Sequence, residues 1–286
     1  MSSPLWFITG VSNGFGLVLA LRALQAKHRV IGSVRSKTKA ADAVEQIEAA
    51  GGQVIEMDMT ESKDSITKKI KAAGPIDYLI NNAGYSVLKA CETITEKEAE
   101  LQMQTNFFGP LYATQAALEG MRARRAGTVV NVSSIAARDP QAASALYSAS
   151  KGALEALSEG LAREVAPFGV WVLIVEPGAF RTNFIRAMQE RSGGDNPELP
   201  DDYRGTPVED ALRRFNGNHG RQRGDPAKGV ERIFEAVTGE GMAGRLRGRV
   251  ARLVLGEDAL ARMRAANDKL LEDLSLQEDI AKSTDF

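Results

Sequence analysis

The chain has 286 residues, 43% hydrophobic and 26% charged, an ordinary globular composition that supports a packed core. Its 36 basic and 37 acidic residues leave a net charge of −1, which argues against nucleic acid or anionic membrane as a partner, since both need a basic excess. One cysteine (Cys91) and two histidines (His28, His219) exclude an internal disulfide framework and a four-ligand zinc site, so no metal is expected and a cytoplasmic location fits.

Met-Ser-Ser-Pro leads straight into Leu5–Ile8, without the basic segment or apolar length of a signal peptide. The longest apolar run, Val170–Val175, is far short of the roughly 20 residues of a membrane span. Strand-like runs follow in chain order: Leu5–Thr9, Val30–Val34, Val54–Met57, Tyr78–Asn81, Thr128–Val132, Val170–Val175 and Gly248–Leu255. Helical periods fill the gaps over Gly16–Ala26, Lys39–Ala50, Ser62–Ala73, Glu96–Arg125 and Ser148–Ala166. Such alternation predicts a Rossmann-type, doubly wound α/β fold in one domain over 1–286. About seven parallel strands would carry helices on both faces, and near-continuous apolar runs suit strands buried on both sides.

The alternation breaks over 183–224, rich in glycine, proline and charge, and this insertion is expected to act as a lid. Asp225-Pro226 then reads as a helix cap followed by proline at the first helical position. A charged helical extension, 256–286, closes the chain. His28 is expected to cap or cover the first helix.

The first strand ends in Thr9-Gly10-Val11-Ser12-Asn13-Gly14-Phe15-Gly16 and runs into a helix. Glycines there let the backbone turn sharply and approach a pyrophosphate, while the helix N-terminus offers free N–H groups. The second strand ends Val34-Arg35-Ser36-Lys37. A carboxylate at this point would bind a ribose 2′-hydroxyl; Arg35 instead suits a 2′-phosphate, helped by Ser12, Asn13 and Lys37, which favours NADP(H) over NAD(H). The alternative is that Arg35 stacks on adenine or faces solvent.

In its spacing the glycine loop, T-G-x-x-x-G-x-G, resembles that of the short-chain dehydrogenase/reductase family. Asn81-Asn82-Ala83-Gly84, Asn106, Ser134, Tyr147-Ser148-Ala149-Ser150-Lys151 and Pro177-Gly178 with Thr182 match the family's later motifs in order. The resemblance spans residues 9–182. It implies that Gly10, Ser12, Asn13, Gly14, Phe15, Gly16, Arg35, Asp58, Met59, Asn82, Ala83 and Gly84 hold the cofactor, Asp58 through the adenine amino group. Pro177, Gly178, Phe180 and Thr182 would lie along the nicotinamide. It also implies a tetrad. Tyr147 is the acid/base, Ser134 rather than Ser133 bonds the reacting oxygen, Lys151 bonds the nicotinamide ribose, and Asn106 holds a relay water.

Tyr147 and Lys151, four apart, share one helical face. A free tyrosine has a pKa of about 10, and lowering it by ~3 would take roughly 4 kcal/mol, within reach of a close, partly buried ammonium. Taken singly, each motif has a plainer reading: a tight turn, a helix or turn cap at Asp58, an exposed Tyr–Lys pair, a serine turn, an asparagine bonding a carbonyl. Their order favours the chemistry.

The expected reaction is hydride transfer between NADP(H) and a small-molecule carbonyl or alcohol. The alternatives are a catalytically silent cofactor sensor, which would not need to keep both Tyr147 and Lys151, and a nucleotide-sugar epimerase or dehydratase, whose G-x-x-G-x-x-G loop is missing. Substrate choice is expected from Tyr85, residues 135–146 and the lid, with Phe180, Phe184, Met188 and Phe215 as pocket or core. The small residues Ala136, Ala137 and Ala142–Ala145 leave room for a bulky lipophilic ketone, steroid-like or polyketide-like. The family resemblance implies a homodimer or homotetramer through Glu96–Arg125 and Tyr147–Ala166, a contact the C-terminal extension could cover or replace.

Overall fold

The computed structural model describes residues 3–191, 199–217 and 220–286. Seven strands, β1 (Leu5–Thr9), β2 (Arg29–Val34), β3 (Gln53–Glu56), β4 (Tyr78–Asn81), β5 (Gly127–Val132), β6 (Val170–Pro177) and β7 (Arg252–Leu255), form one sheet in the order β3-β2-β1-β4-β5-β6-β7. All pairings are parallel, with Trp6 opposite Val30 on one side of β1 and Tyr78 on the other. Side chains alternate across the pleat, so Trp6 and Ile8 enter one core and Leu5 and Phe7 the other.

The first core is covered by α1 (Gly14–Gln25), α2 (Ala41–Ala49) and, later in the chain, the helix Pro226–Thr238; the second by α3 (Lys63–Ala72) and the long helices that follow. Where one helix is expected over Glu96–Arg125, the chain forms α4 (Glu96–Met103), a π-helical turn at Gln104–Phe108 and α5 (Gly109–Arg124). A capping box of Thr95 and Glu98 starts this run. α6 (Ala145–Val165) begins three residues earlier than its periodicity predicts and so includes Tyr147 in its first turn.

Within the expected lid, the structure has α7 (Phe184–Arg191), a short turn at Asp201–Tyr203 and α8 (Pro207–Gly217). Residues 192–198 and 218–219, His219 among them, lie outside the described residues. Asp225 caps α9 (Pro226–Thr238), its carboxylate accepting from the N–H of Ala227 and Lys228, with Pro226 at the first helical position. After the single turn of α10 (Gly241–Gly244), β7 is shorter than Gly248–Leu255 because residues up to Val250 are still turning. The chain closes in α11 (Glu257–Lys282).

His28 does not cap α1. Its Nδ1 accepts a hydrogen bond from the Trp6 indole at 2.9 Å, beside Phe234 of α9, and burial lowers its pKa. No helix among the described residues is long and apolar enough to cross a membrane.

Candidate active site

Strand order reverses between β1 and β4, which opens a crevice at their carboxyl ends, the place where a sheet of this kind takes its ligand. The two loops there are bonded into one unit. The Thr9 hydroxyl accepts from the N–H of Asn82 and Ala83 (3.0 Å each), and the Asn82 amide donates to the carbonyls of Thr9 (2.9 Å) and Gly10 (3.0 Å). Glycine is required on steric grounds. Gly10 has φ +73°, and a Cβ on it would sit 2.8 Å from the Ala83 Cα; a Cβ on Gly16 would run into the Gly10 carbonyl and lie 2.6 Å from the Asn82 amide.

This cradle is one end of a cleft of about 540 Å³. Of the residues expected to bind cofactor, all but Gly16 line it: Gly10, Ser12, Asn13, Gly14, Phe15, Arg35, Asp58, Met59, Asn82, Ala83, Gly84, Pro177, Gly178, Phe180 and Thr182, with Tyr147 and Lys151. Gly16 lies one layer behind, in α1, and Phe15 packs edge-on against Phe180 at 4.9 Å. Arg35 is exposed, and among the described residues no hydrogen bond or ion pair holds it. Lys37 is drawn off towards Glu48 (3.6 Å). Asp58 also does the plainer job, accepting from the N–H and hydroxyl of Thr60 (2.9 Å each) in the turn before α3.

At the other end stand Ser134, Tyr147 and Lys151. Tyr147 is buried, its hydroxyl hydrogen-bonded to Ser134, and burial pushes its pKa up to about 12, the Ser134 bond opposing but not reversing this. The lowering expected from Lys151 is not seen: the ammonium is 5.9 Å from the Tyr147 ring centre and donates instead to the Val132 carbonyl at 2.7 Å, leaving burial to set the direction. Burial brings Lys151 itself down to about 8, and the negative charge of Glu155 opposes that fall.

Ser133 also borders the cleft, but its hydroxyl is engaged in donating to Glu155 at 2.7 Å. Asn106 sits behind the cleft wall, in the π-helical turn. It clasps the Tyr85 backbone, accepting from its N–H (3.1 Å) and donating to its carbonyl (2.9 Å) and to the Ser150 hydroxyl (2.9 Å). A Cβ on Gly84 would lie 3.2 Å from both the Asn106 oxygen and the Lys151 nitrogen, so these two polar atoms flank the same glycine.

Several residues that shape the site carry no motif. Arg252 on β7 bonds Glu155 and Glu176 (2.6 Å each) and Glu159 (2.7 Å), directly behind Ser133 and Lys151. Glu176 is fully buried, and desolvation with the nearby Glu155 charge raises its pKa to about 7. From α11, Asp258 accepts from the Ala179 N–H (2.8 Å), and a Cβ on Gly178 would collide with its carboxylate. Arg262 bonds the carboxylate and carbonyl of Asp139 (2.6 Å each). Both Asp258 and Arg262 reach the cleft wall. Only Glu155, four residues after Lys151, could have been suspected from spacing.

A family model for the short chain dehydrogenases matches residues 5–193. The chain belongs to the short-chain dehydrogenase/reductase family. It is similar to the oxidoreductase claN of Passalora fulva, 39% identical over 221 residues, covering 76% of this chain and 98% of that protein. The crystal structure of a short-chain dehydrogenase from Streptomyces avermitilis superposes with a TM-score of 0.85 at 36% identity, covering 99% of each chain. Two structures at 21% identity share the fold: one from Sphingobium yanoikuyae in complex with NADPH (TM-score 0.71, 95% of each chain) and one from Burkholderia phymatum in complex with NAD (TM-score 0.78, 96% of this chain and 95% of that one). The chain is thus an oxidoreductase of the short-chain dehydrogenase class.

Proposed function

We propose that this short-chain dehydrogenase is an NADP(H)-dependent ketoreductase, or secondary-alcohol dehydrogenase in reverse, acting on a lipophilic carbonyl. The observation that carries the reading is the meeting of Ser134, Tyr147 and Lys151 at one end of a cleft whose other end is a glycine cradle beside an unpaired arginine. The residues fit the cofactor: Gly10 and Gly14 leave a surface without side chains at the α1 N-terminus, where a pyrophosphate is favoured, and Gly16 lets α1 pack against the Gly10 carbonyl behind it. The bound dinucleotide would supply or accept the hydride. Arg35 would meet a 2′-phosphate, and Lys151 the ribose hydroxyls.

Tyr147 enters reduction as the proton donor. A phenol held neutral by burial is in the right form to protonate an oxygen that gains negative charge, and Ser134 adds a hydrogen bond to that same oxygen. Asn106 and Gly84 lie along a route by which Lys151 could pass a proton back. The cleft wall beyond Tyr147 is apolar, with Leu88, Phe184, Met188 and Phe215, and the Phe184 ring is 5.8 Å from that of Tyr147. This supports a bulky lipophilic ketone, with α7 and α8 as its cover.

The test is NADPH and NADH oxidation by the purified protein over small and bulky ketones, with Tyr147→Phe alongside. Turnover of bulky ketones with NADPH, lost in Tyr147→Phe while NADPH still binds, is the expected result. Wild-type turnover by Tyr147→Phe would remove the acid/base role.

A further inference from the structure

α11 leaves the body of the molecule after about two turns. Ala259 is buried and Arg262 and Met263 are half-buried, but every residue from Asn267 to Phe286 is exposed. Some 16 helical residues, about 24 Å, thus project with nothing packed on them. Isolated helices shorter than about 12–15 residues are marginal in water even with an alanine-rich sequence, and this segment is barely longer. This one instead carries Leu270, Leu271, Leu274 and Ile280 at 49–69% exposure.

We propose that the projecting part of α11 pairs antiparallel with α11 of a second copy of this chain. The seam follows a 3.5-residue spacing, Met263, Asn267, Leu270, Leu274, Gln277 and Ala281, the pattern by which two helices interlock. Antiparallel pairing about a two-fold axis near Leu271 makes every layer self-consistent. Leu270 meets the second copy's Leu274, Asn267 meets Gln277, Met263 meets the small Ala281, and the two Leu271 side chains meet each other. One flank agrees in charge, because Arg264 falls opposite Glu278 at both of its ends, on either side of the Leu271 pair. Asp273 meets its own copy, but Lys269 already neutralises it within each chain at 2.9 Å.

Parallel pairing is worse. It sets Asp273 against Glu278, like charges at the flank of the seam. An anionic membrane is also disfavoured, because Asp268, Glu272, Asp273, Glu278, Asp279 and Asp285 outnumber Lys269 and Lys282 on this segment. The antiparallel arrangement places the two bodies at opposite ends of the paired helices, clear of each other. This surface is separate from the long helices α4–α6, and it does not depend on the proposed reaction.

The experiment uses the full chain in sedimentation equilibrium and cross-linking. Leu270→Asp with Leu274→Asp should halve the apparent mass, whatever other contacts hold the protein together, without loss of activity. Arg264→Glu alone and Glu278→Arg alone should each do the same, whereas mixing the two variants should restore the original mass, because each then faces its opposite charge. In a Cys91→Ser background, Leu271→Cys should cross-link between copies with a short bismaleimide, and Leu276→Cys, on the outer face, should not. Unchanged mass in the aspartate double variant, failure of the mixed variants to reassociate, or equal cross-linking at 271 and 276 would overturn the proposal. So would binding of the wild type to phosphatidylcholine–phosphatidylserine vesicles that the aspartate double variant loses with no change in mass.

Discussion

Replacing Glu176 by Gln should make the protein more stable at alkaline pH and leave it unchanged in acid. Glu176 is fully buried, shares the Arg252 guanidinium with Glu155, and feels the Glu155 charge. Its pKa rises from the ordinary 4.5 to about 7. At about 1.4 kcal/mol per pH unit this corresponds to ~3 kcal/mol of folding free energy lost when the carboxylate is forced to ionise. The sign is set by proton uptake: the folded chain holds this proton more tightly than the unfolded chain does. The loss is therefore absent below about pH 4.5, grows as pH rises, and is complete above about pH 7.

Glutamine keeps the oxygen that accepts from Arg252 and adds an N–H₂ that can donate to Glu155, so the ionisation is removed without opening a hole. Allowing for residual attraction to Arg252, the gain is about 1–3 kcal/mol, or roughly 2–5 °C in Tm for a chain of this length. Thermal unfolding followed by circular dichroism at pH 8 and pH 5 reads it directly. A Tm difference that is equal at both pH values, or a variant less stable at pH 8, would refute the account of Glu155 and Glu176 as a like-charge pair.

Other outcomes follow from the same geometry. Arg35→Asp should weaken NADPH binding at least tenfold while NADH binding changes little, by fluorescence titration; equal losses would remove the phosphate role. Burial sets Lys151 to lose its charge near pH 8, so kcat/KM for the cofactor should fall as pH rises through that value, and a profile flat to pH 9.5 would contradict it. Gly16→Ala should cost about 1–3 kcal/mol and at least tenfold in cofactor affinity, measured by unfolding and titration, because the methyl group meets the Gly10 carbonyl. Asp258→Ala should raise KM for the cofactor severalfold with Tm nearly unchanged, since it frees the Ala179 N–H; a pure Tm effect would make Asp258 a packing residue only.

The glycine-cradle end of the cleft was readable because its information is local. Thr9–Gly16 and Arg35 lie at the ends of runs that only buried parallel strands explain, and Tyr147 and Lys151 are one helical turn apart. The interior partners were not readable. Arg252 reaches Glu176 and Glu155 across 76 and 97 residues of sequence, and nothing near residue 252 marks a half-buried guanidinium. The π-helical turn around Asn106 hid for a different reason: one extra residue in a helix leaves no periodic trace. α7 and α8 were masked by the glycine, proline and charge around them, and the upward shift of Tyr147 depends on a burial that spacing cannot convey.

The Thr9 hydroxyl has a consequence for the timing of a catalytic cycle. By accepting two N–H groups from the loop after β4 while Asn82 reaches back to the Thr9 and Gly10 carbonyls, it ties the glycine cradle to two neighbouring strands of the sheet. In the proposed reaction a cradle braced in advance can fill first, whereas the proposed ketone wall rests on α7 and α8, two short helices outside the sheet. For the proposed reaction that difference in anchoring favours compulsory-order kinetics, with dinucleotide entering before ketone and leaving after alcohol. Product inhibition by oxidised dinucleotide would then be competitive towards the reduced form and mixed towards the ketone.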